Sequence, residues 1–202
     1  MVSFKERIEE MLATLIIWLM IMWDDIRETL ITVIVTCIVA SLLTNFFFQP
    51  VRVSGSSMHP TLKDGEVGFS SIVARRTGKI RRFDIVVIRL KERGEDLVKR
   101  VIGLPNETIT YSDGRLYVDG VEIEETFLDQ QYIEQYMKDN YNSEGFFTKD
   151  FSYTLGEDEY FCMGDNRRIS QDSRYYGPFS SEDILSIGVF VLWPLSEFGS
   201  AD

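Results

Sequence analysis

Apolar positions are concentrated near the N-terminus of the chain. Residues 30–48 (LITVIVTCIVASLLTNFFF) carry no charged side chain. Nineteen helical residues span about 28 Å, close to the roughly 30 Å hydrocarbon thickness of a bilayer. Helices in soluble cores rarely need to be apolar on every side, so we expect 30–48 to be a transmembrane anchor. Because nearly 30 residues precede it, an uncleaved anchor fits better than a cleaved signal sequence.

A second apolar run, residues 11–23 (MLATLIIWLMIMW), is too short for a comfortable span. Three arrangements fit it: an interfacial helix, an N-terminal extension of the same long helix, or a short first span. The pattern favours a single span, with 1–29 as a cytoplasmic or interfacial segment. The basic residues that flank the span slightly favour a cytoplasmic N-terminus.

From residue 49 onward the pattern changes to short β-branched and aromatic runs bounded by turn residues, which is typical of strands. These runs are 49–54, 81–90, 96–105, 159–164 and 185–194. Residues 107–123 contain Asp113-Gly114 and Asp119-Gly120, the expected signal of tight hairpins, and 179–184 (FSSEDI) predicts one short capped helical turn. The sequence therefore predicts an N-terminal transmembrane helix followed by a mainly β domain over 49–202.

Composition excludes several classes of protein and site. The formal net charge of −11 argues against nucleic acid as a partner, and 45% hydrophobic with 26% charged residues excludes a wholly disordered or polytopic membrane protein. One histidine, His59, and two distant cysteines, Cys37 and Cys162, cannot build a His/Cys zinc site or a disulfide framework. Any Ser-His-Asp triad would have to use His59.

Charge is unevenly distributed along the β domain. Residues 72–104 hold ten basic against four acidic residues, and residues 107–159 hold fourteen acidic against three basic. A solvated face explains either run. Because the domain is tethered close to a membrane, the basic run also suggests contact with anionic lipid. The acidic, aromatic-rich stretch 125–159 matches no motif and is interpreted as a variable surface excursion.

A nucleophile candidate follows the anchor in SGSSMHPTLKDGE (54–66), a turn whose small residues allow backbone amides to approach a ligand. Ser57 needs a base, and His59 on the same turn is poorly placed to reach it. The remaining option is a lysine whose pKa is lowered by burial. Lys99 is that candidate, because it lies in the apolar strand-like run LVKRVIG between same-face neighbours Leu97 and Val101.

A third segment, GDNRRISQDSRYYG (164–177), is rich in turn residues and paired charges. Asp172 and Arg174 are spaced to form a structural ion pair, and Ser170 is a hydrogen-bond partner for a neutral lysine amine. Taken alone, GDNR indicates only a polar turn. The three segments together suggest a Ser/Lys site.

At this point the sequence resembles the type I signal peptidases, the membrane-anchored Ser/Lys endopeptidases of the bacterial secretion pathway. The resemblance is carried, in the family's order, by GSSMHPTL (55–62), RFDIVV (82–87), LVKRVIGLP (97–105) and GDNR…S.DSR.YG (164–177). It spans roughly residues 28–194. Four boxes following an N-terminal anchor form a highly specific combination.

The resemblance assigns a role to each matching residue. It implies that Ser57 is the nucleophile and the backbone oxyanion donor, Lys99 the general base, Ser170 the lysine-orienting serine, and Asp172 with Arg174 the structural pair. Some members carry a serine two residues before the nucleophile. Here that position is Gly55, the pattern common in Gram-positive enzymes, which leaves Ser56 or Ser54 as candidates for a second oxyanion donor.

The resemblance also implies a β-rich catalytic domain on the outer face of the cell membrane, a single pass, no metal or cofactor, and cleavage of exported preproteins after small residues at −1 and −3. We expect Met58 in or beside the pockets for those side chains, or partly facing lipid. The alternatives are a self-cleaving repressor-type Ser/Lys protease, which the anchor disfavours, and a tethered β domain that binds a partner without catalysis.

Overall fold

The structure is a computed structural model that describes residues 4–139 and 145–201 of the chain. It divides into two compact units, one up to Phe46 and one from Phe47 onward, and each is described by itself. The N-terminal unit is helical and the second carries every strand of the described residues.

The N-terminal unit consists of helix α1 (Phe4–Phe47), 44 residues without a glycine or proline. It joins 11–23 and 30–48 in one helix, so the second of the three arrangements is the observed one. The charged segment between them stays helical, with Arg27 paired to Asp24 at 3.3 Å. Thr14–Phe47 is long enough to cross a membrane and contains an 18-residue window with a mean hydropathy of 2.3.

The second unit is built on two antiparallel sheets. Its strands are β1 (Phe48–Arg52), β2 (Val67–Ser71), β3 (Ile85–Leu90), β4 (Glu95–Gly103), β5 (Thr108–Ser112), β6 (Arg115–Val118), β7 (Val121–Ile123), β8 (Phe151–Thr154), β9 (Phe161–Met163), β10 (Ile184–Trp193) and β11 (Gly199–Ala201). The larger sheet has the order β1-β2-β10-β3-β4-β9, with β11 on β10, and the smaller has the order β7-β6-β5-β8. The predicted mainly β domain is confirmed.

Both predicted hairpin turns are present in the smaller sheet. Asp113 and Gly114 have φ of 52° and 75°, and Asp119 and Gly120 have φ of 48° and 80°. Two successive positive φ angles match the right-handed twist of the strands they join, and Asp and Gly tolerate them best. Local sequence was therefore sufficient to predict β5-β6-β7.

Three short helices complete the unit: α2 (Ile72–Thr77), α3 (Gln130–Asp139) and α4 (Ser173–Tyr176), with a 3₁₀ turn at Leu195–Glu197. The helical turn predicted at 179–184 is wrong. Asp183 accepts from both the N–H and the Oγ of Ser180, at 2.9 and 2.7 Å, which stabilises a tight turn that leads directly into β10.

Strand β4 separates two apolar clusters by the alternation of its side chains. Val101 packs with Val86 and Ile88, whereas Ile102 packs with residues of the smaller sheet. The hydrophobic alternation of β4 therefore determines which of its polar side chains face which cluster.

The stretch 125–159 is not only a surface excursion, which corrects the sequence interpretation. It supplies α3 and β8, and Phe147 and Leu155 are buried. Its apolar residues are spread among acidic ones, so the run had no simple period from which burial was predictable.

Many cations of the basic run 72–104 have partners within the protein. Arg82 pairs with Glu107, Arg89 with Asp96 and Lys91 with Asp183. Arg75 donates to two backbone carbonyls, at 3.0 and 2.6 Å. Contact of this run with anionic lipid stays a prediction. Fewer of its basic side chains are available for such contact than the sequence suggested, because these have partners within the protein.

Candidate active site

The Ser57 loop connects the edge strand β1 to β2. Its ends are tied by Val53 N–H to the carbonyl of Glu66 at 2.8 Å, and Gly55, with φ of +83°, donates its N–H to Asp64 Oδ1 at 2.7 Å. A positive φ favours glycine at that position. Ser57 itself is half-buried at the turn.

Lys99 lies on β4, opposite Val86 of β3. Its side chain is 2% exposed, and its Nζ lies 2.7 Å from Ser57 Oγ. Burial lowers the pKa of Lys99 from 10.5 to about 8, and the charges of Asp172 and Asp165 offset part of that effect. The structure therefore brings the predicted nucleophile and base into contact, 42 positions apart in sequence.

Asp172 and Arg174 form the predicted ion pair, with Nε–Oδ1 and Nη2–Oδ2 distances of 2.8 and 2.7 Å. Asp172 is fully buried, begins α4 as its N-cap, and accepts the N–H of Gly164 at 3.0 Å. Burial alone would raise the pKa of Asp172, but the Arg174 pair and the Gly164 N–H outweigh it and lower that pKa.

Ser170 is at the site without the predicted bond to the lysine. Its Oγ is buried and makes no bond to Lys99 Nζ, which lies against Ser57 Oγ; Ser170 acts instead on Asp172 and helps to lower the pKa of that carboxyl group. Ser170 also packs on Gly164, where an added Cβ would lie 2.3 Å from both Ser170 Oγ and the Ser57 carbonyl oxygen. The lysine-orienting role of Ser170 stays a prediction.

Met58 is 1% exposed and packs in a cluster with Val53, Leu62 and Ile85. Its burial excludes a lipid-facing side chain. A role of Met58 in a substrate pocket stays a prediction.

The Ser57 backbone is held by one bond that the sequence did not predict. Asn166 donates its N–H to the Ser57 carbonyl at 3.0 Å. Among the residues that the structure describes, no acceptor takes the Ser57 N–H, which is thus available as the oxyanion donor. Neither Ser54 nor Ser56 is placed as a second donor by any contact described.

Two buried ion pairs also escaped sequence analysis. Arg100 grips Asp165 with both Nε and Nη2, at 2.9 and 2.8 Å, and the two side chains are 3% and 1% exposed. Arg167 pairs with Glu125 and also contacts the Tyr111 hydroxyl at 2.8 Å. Asp165 and Arg167 thus attach the 164–177 segment to β4 through Arg100 and to the stretch 125–159 through Glu125.

The lone histidine makes no hydrogen bond to Ser57 among the described contacts. The His59 ring lies 4.8 Å from the Tyr132 ring, with the two planes tilted, and its buried Nδ1 has no partner among the described residues. Cys162 is also buried, which raises the pKa of its thiol far above the usual value. Within residues 4–139 and 145–201, no cluster of three or more His, Cys, Asp or Glu side chains is arranged to hold a metal.

Comparison with known protein families supplies the classification. The family model described as signal peptidase, peptidase S26, matches residues 26–193, a range that contains every site residue named above. The chain belongs to this family. It is therefore a serine peptidase of the signal peptidase I type, a hydrolase, as the resemblance implied.

Relatives from Gram-positive bacteria agree. The signal peptidase I of Streptococcus pneumoniae serotype 4 is 38% identical over 77% of this chain and 87% of its own length. Signal peptidase I P of Bacillus subtilis subsp. natto is 38% identical over 84% and 89%, and signal peptidase IB of Staphylococcus aureus is 33% identical over 88% and 94%. A crystal structure of a signal peptidase I from Enterococcus faecalis V583 is 35% identical, with a TM-score of 0.47 over 54% of this chain and 96% of that one.

Proposed function

We propose that this protein is a membrane-bound endopeptidase that removes N-terminal signal peptides from exported preproteins with a Ser57/Lys99 dyad. The observation that carries the proposal is the 2.7 Å contact between Ser57 Oγ and a buried lysine whose pKa is lowered to about 8. A lysine of ordinary pKa would hold its proton at neutral pH and be unable to act as a base.

Acylation begins when neutral Lys99 accepts the Ser57 proton and Oγ attacks the scissile carbonyl carbon. The carbonyl oxygen becomes an oxyanion that the Ser57 N–H stabilises. The tetrahedral intermediate then collapses with cleavage of the C–N bond. Protonated Lys99 gives its proton to the leaving amine, which departs as the N-terminus of the mature protein.

Deacylation uses the same groups a second time. Neutral Lys99 accepts a proton from water, the hydroxide attacks the Ser57 ester, and the second tetrahedral intermediate expels the serine oxygen. Lys99 returns the proton to Ser57 Oγ, which leaves the signal peptide with a free carboxylate and the enzyme unchanged.

Specificity for small residues at −1 and −3 fits an extended substrate. β1 is an edge strand of the larger sheet and leads directly into the Ser57 loop, so its free edge offers backbone donors and acceptors to a substrate strand. Alternate side chains of that strand would enter shallow apolar pockets, with Met58 in their floor.

The location follows from the sequence distance between anchor and nucleophile. Only eight residues separate Phe48 from Ser57, so the nucleophile stays near the membrane surface if α1 spans the bilayer once. A signal peptide is cleaved just past its own apolar segment, at the same level. We therefore place the catalytic domain, 49–202, on the extracytoplasmic face.

The test uses the full-length enzyme in detergent or vesicles and a preprotein with alanine at −3 and −1. Ser57→Ala and Lys99→Ala should each lower kcat by more than about a hundredfold, because each removes a reacting group. Ser112→Ala and Lys79→Ala, both exposed and outside the site, serve as matched controls that retain activity. Wild-type processing by either dyad variant would refute the Ser57/Lys99 mechanism.

A further inference from the structure

We propose that Tyr132, on α3, is a positioning residue that holds the Ser57 turn through Asn166 and His59. The inference rests on the proposed function of Ser57 and adds to it a residue from the stretch 125–159, which carries none of the matched motifs. Tyr132 contacts the turn by two independent routes.

The first route runs through hydrogen bonds. Asn166 is 2% exposed and donates twice: its N–H goes to the Ser57 carbonyl and its Nδ2 goes to the Tyr132 hydroxyl, both at 3.0 Å. Asn166 is thus held at its backbone by Ser57 and at its side chain by Tyr132, which restricts the movement of this buried residue. The Tyr132 hydroxyl therefore helps to fix the direction of the Ser57 carbonyl.

The second route is a ring contact on the other side of the nucleophile. The Tyr132 ring lies 4.8 Å from the His59 ring, with the planes tilted by 50°. His59 is two residues past Ser57, so Tyr132 contacts the turn after the nucleophile as well as the side chain of Asn166, the residue whose backbone N–H holds the Ser57 carbonyl. The lone histidine thereby gains a packing role in place of a catalytic one.

Tyr132 is itself held by the body of the catalytic unit. Its ring meets Phe147 edge to face, with centroids 6.3 Å apart, and Phe147 is buried. Burial, with a smaller effect of Tyr136, raises the pKa of Tyr132, so its hydroxyl stays protonated across the alkaline range in which a base of pKa about 8 is active. The support is therefore constant during catalysis.

The chemical consequence concerns geometry. Fixing the Ser57 carbonyl limits rotation about the Ser57 backbone and, with it, the direction of Oγ toward Lys99 and the scissile carbon. Small misplacements of reacting atoms reduce rates while substrate binding elsewhere is unaffected. Loss of the Tyr132 hydroxyl should thus lower kcat and leave KM unchanged.

The decisive variant is Tyr132→Phe, which keeps the ring and removes the hydroxyl. With the full-length enzyme and a fluorogenic peptide carrying alanine at −3 and −1, kcat of the folded variant should fall about threefold to tenfold, the effect of one hydrogen bond, at constant KM. Tyr117→Phe is the matched control, because Tyr117 is half-buried like Tyr132, lies on β6 away from Ser57, and makes no hydrogen bond through its hydroxyl among the described contacts. Equal kcat for Tyr132→Phe and Tyr117→Phe would overturn the inference.

A double-mutant cycle tests the route. If the hydroxyl acts through Asn166, Tyr132→Phe combined with Asn166→Ala should be no slower than Asn166→Ala alone, whereas independent effects would multiply and contradict the proposal. Asn166→Ser replaces Asn166→Ala if the latter does not purify as a folded protein. Failure of the dyad itself would show in Ser57→Ala and Lys99→Ala, which separates the two hypotheses.

Discussion

Lys99 and Arg100 are consecutive residues of β4 and point to opposite faces of the strand. On one face the basic side chain has a carboxylate partner, and on the other it has a hydroxyl partner. Arg100 points to the face where Asp165 takes two of its donors and the Phe83 carbonyl takes a third at 2.9 Å. Its guanidinium also lies 4.2 Å from the centre of the Phe127 ring. The buried charge of Arg100 is therefore compensated by an ion pair and several hydrogen bonds.

Lys99 points to the other face and has no ion pair among the described residues. Its contact is a neutral hydroxyl, and the carboxylates of Asp172 and Asp165 act only through space. Both side chains are almost fully buried, at 2% and 3% exposure, so burial alone does not distinguish them. The comparison teaches that burial lowers the pKa of Lys99 because no paired carboxylate compensates for the lost hydration and because an ammonium, unlike a guanidinium, can lose its proton.

The largest expected effect comes from breaking the pair on the Arg100 face. Asp165→Asn keeps the shape and removes the charge, leaving Arg100 buried and unpaired, which should reduce the free energy of unfolding by about 3–5 kcal/mol. Guanidinium unfolding of the detergent-solubilised enzyme, followed by tryptophan fluorescence, measures it. Glu122→Gln breaks the exposed Arg115–Glu122 pair and should cost less than about 1 kcal/mol. Equal effects of the two variants would contradict the comparison.

The next effect has the opposite sign and concerns the Lys99 face. The pKa of Lys99 is about 8 when folded and 10.5 when unfolded, so the unfolded chain binds its proton more tightly and stability rises with pH between those values. At pH 7 the retained proton costs about 3 kcal/mol. Lys99→Met should therefore be inactive but more stable than the wild type at pH 7, with a difference that vanishes above pH 10.5. If Lys99→Met is less stable than the wild type at pH 7, the buried protonated amine of Lys99 does not destabilise the fold.

The smallest expected effect is a shift of the pH dependence of activity when the charge of Asp172 or Arg174 is removed. Activity should rise with pH through about 8, as Lys99 loses its proton. Asp172 raises the pKa of Lys99 and Arg174 lowers it, so Asp172→Asn should move this limb of the pH–kcat profile to lower pH and Arg174→Met should move it to higher pH. Shifts in the same direction would mean that the pair acts only through the shape of the site.

Sequence reasoning identified the Ser57–Lys99 contact because its constraints were local or compositional. The single histidine lies on the same turn as Ser57 and is poorly placed as its base, and Lys99 was a recognisable alternative within an apolar strand. The hairpins were equally accessible, because an Asp-Gly pair determines its own turn. α1 was ambiguous only in its charged middle, where the absence of glycine and proline favoured a continuous helix.

The supports of the site were hidden because they join distant segments. Asp165 and Arg100 are 65 positions apart, Glu125 and Arg167 are 42 apart, and Tyr132 lies 34 positions before Asn166. No periodicity links such residues, and each taken alone indicates a solvated surface. A usable signal was the consecutive Lys99-Arg100, since a strand that buries one side chain of that pair presents the other to the opposite face.

The burial of Cys162 has a practical consequence for labelling. Its enclosed, protonated thiol is a poor nucleophile, so maleimides have only the exposed Cys37, within α1, to modify. The natural sequence therefore already carries one reporter position in its apolar helix. A fluorophore or spin label attached to Cys37 measures the depth of that helix in a bilayer. No cysteine has to be introduced for this purpose, and the residues around Ser57 stay unchanged.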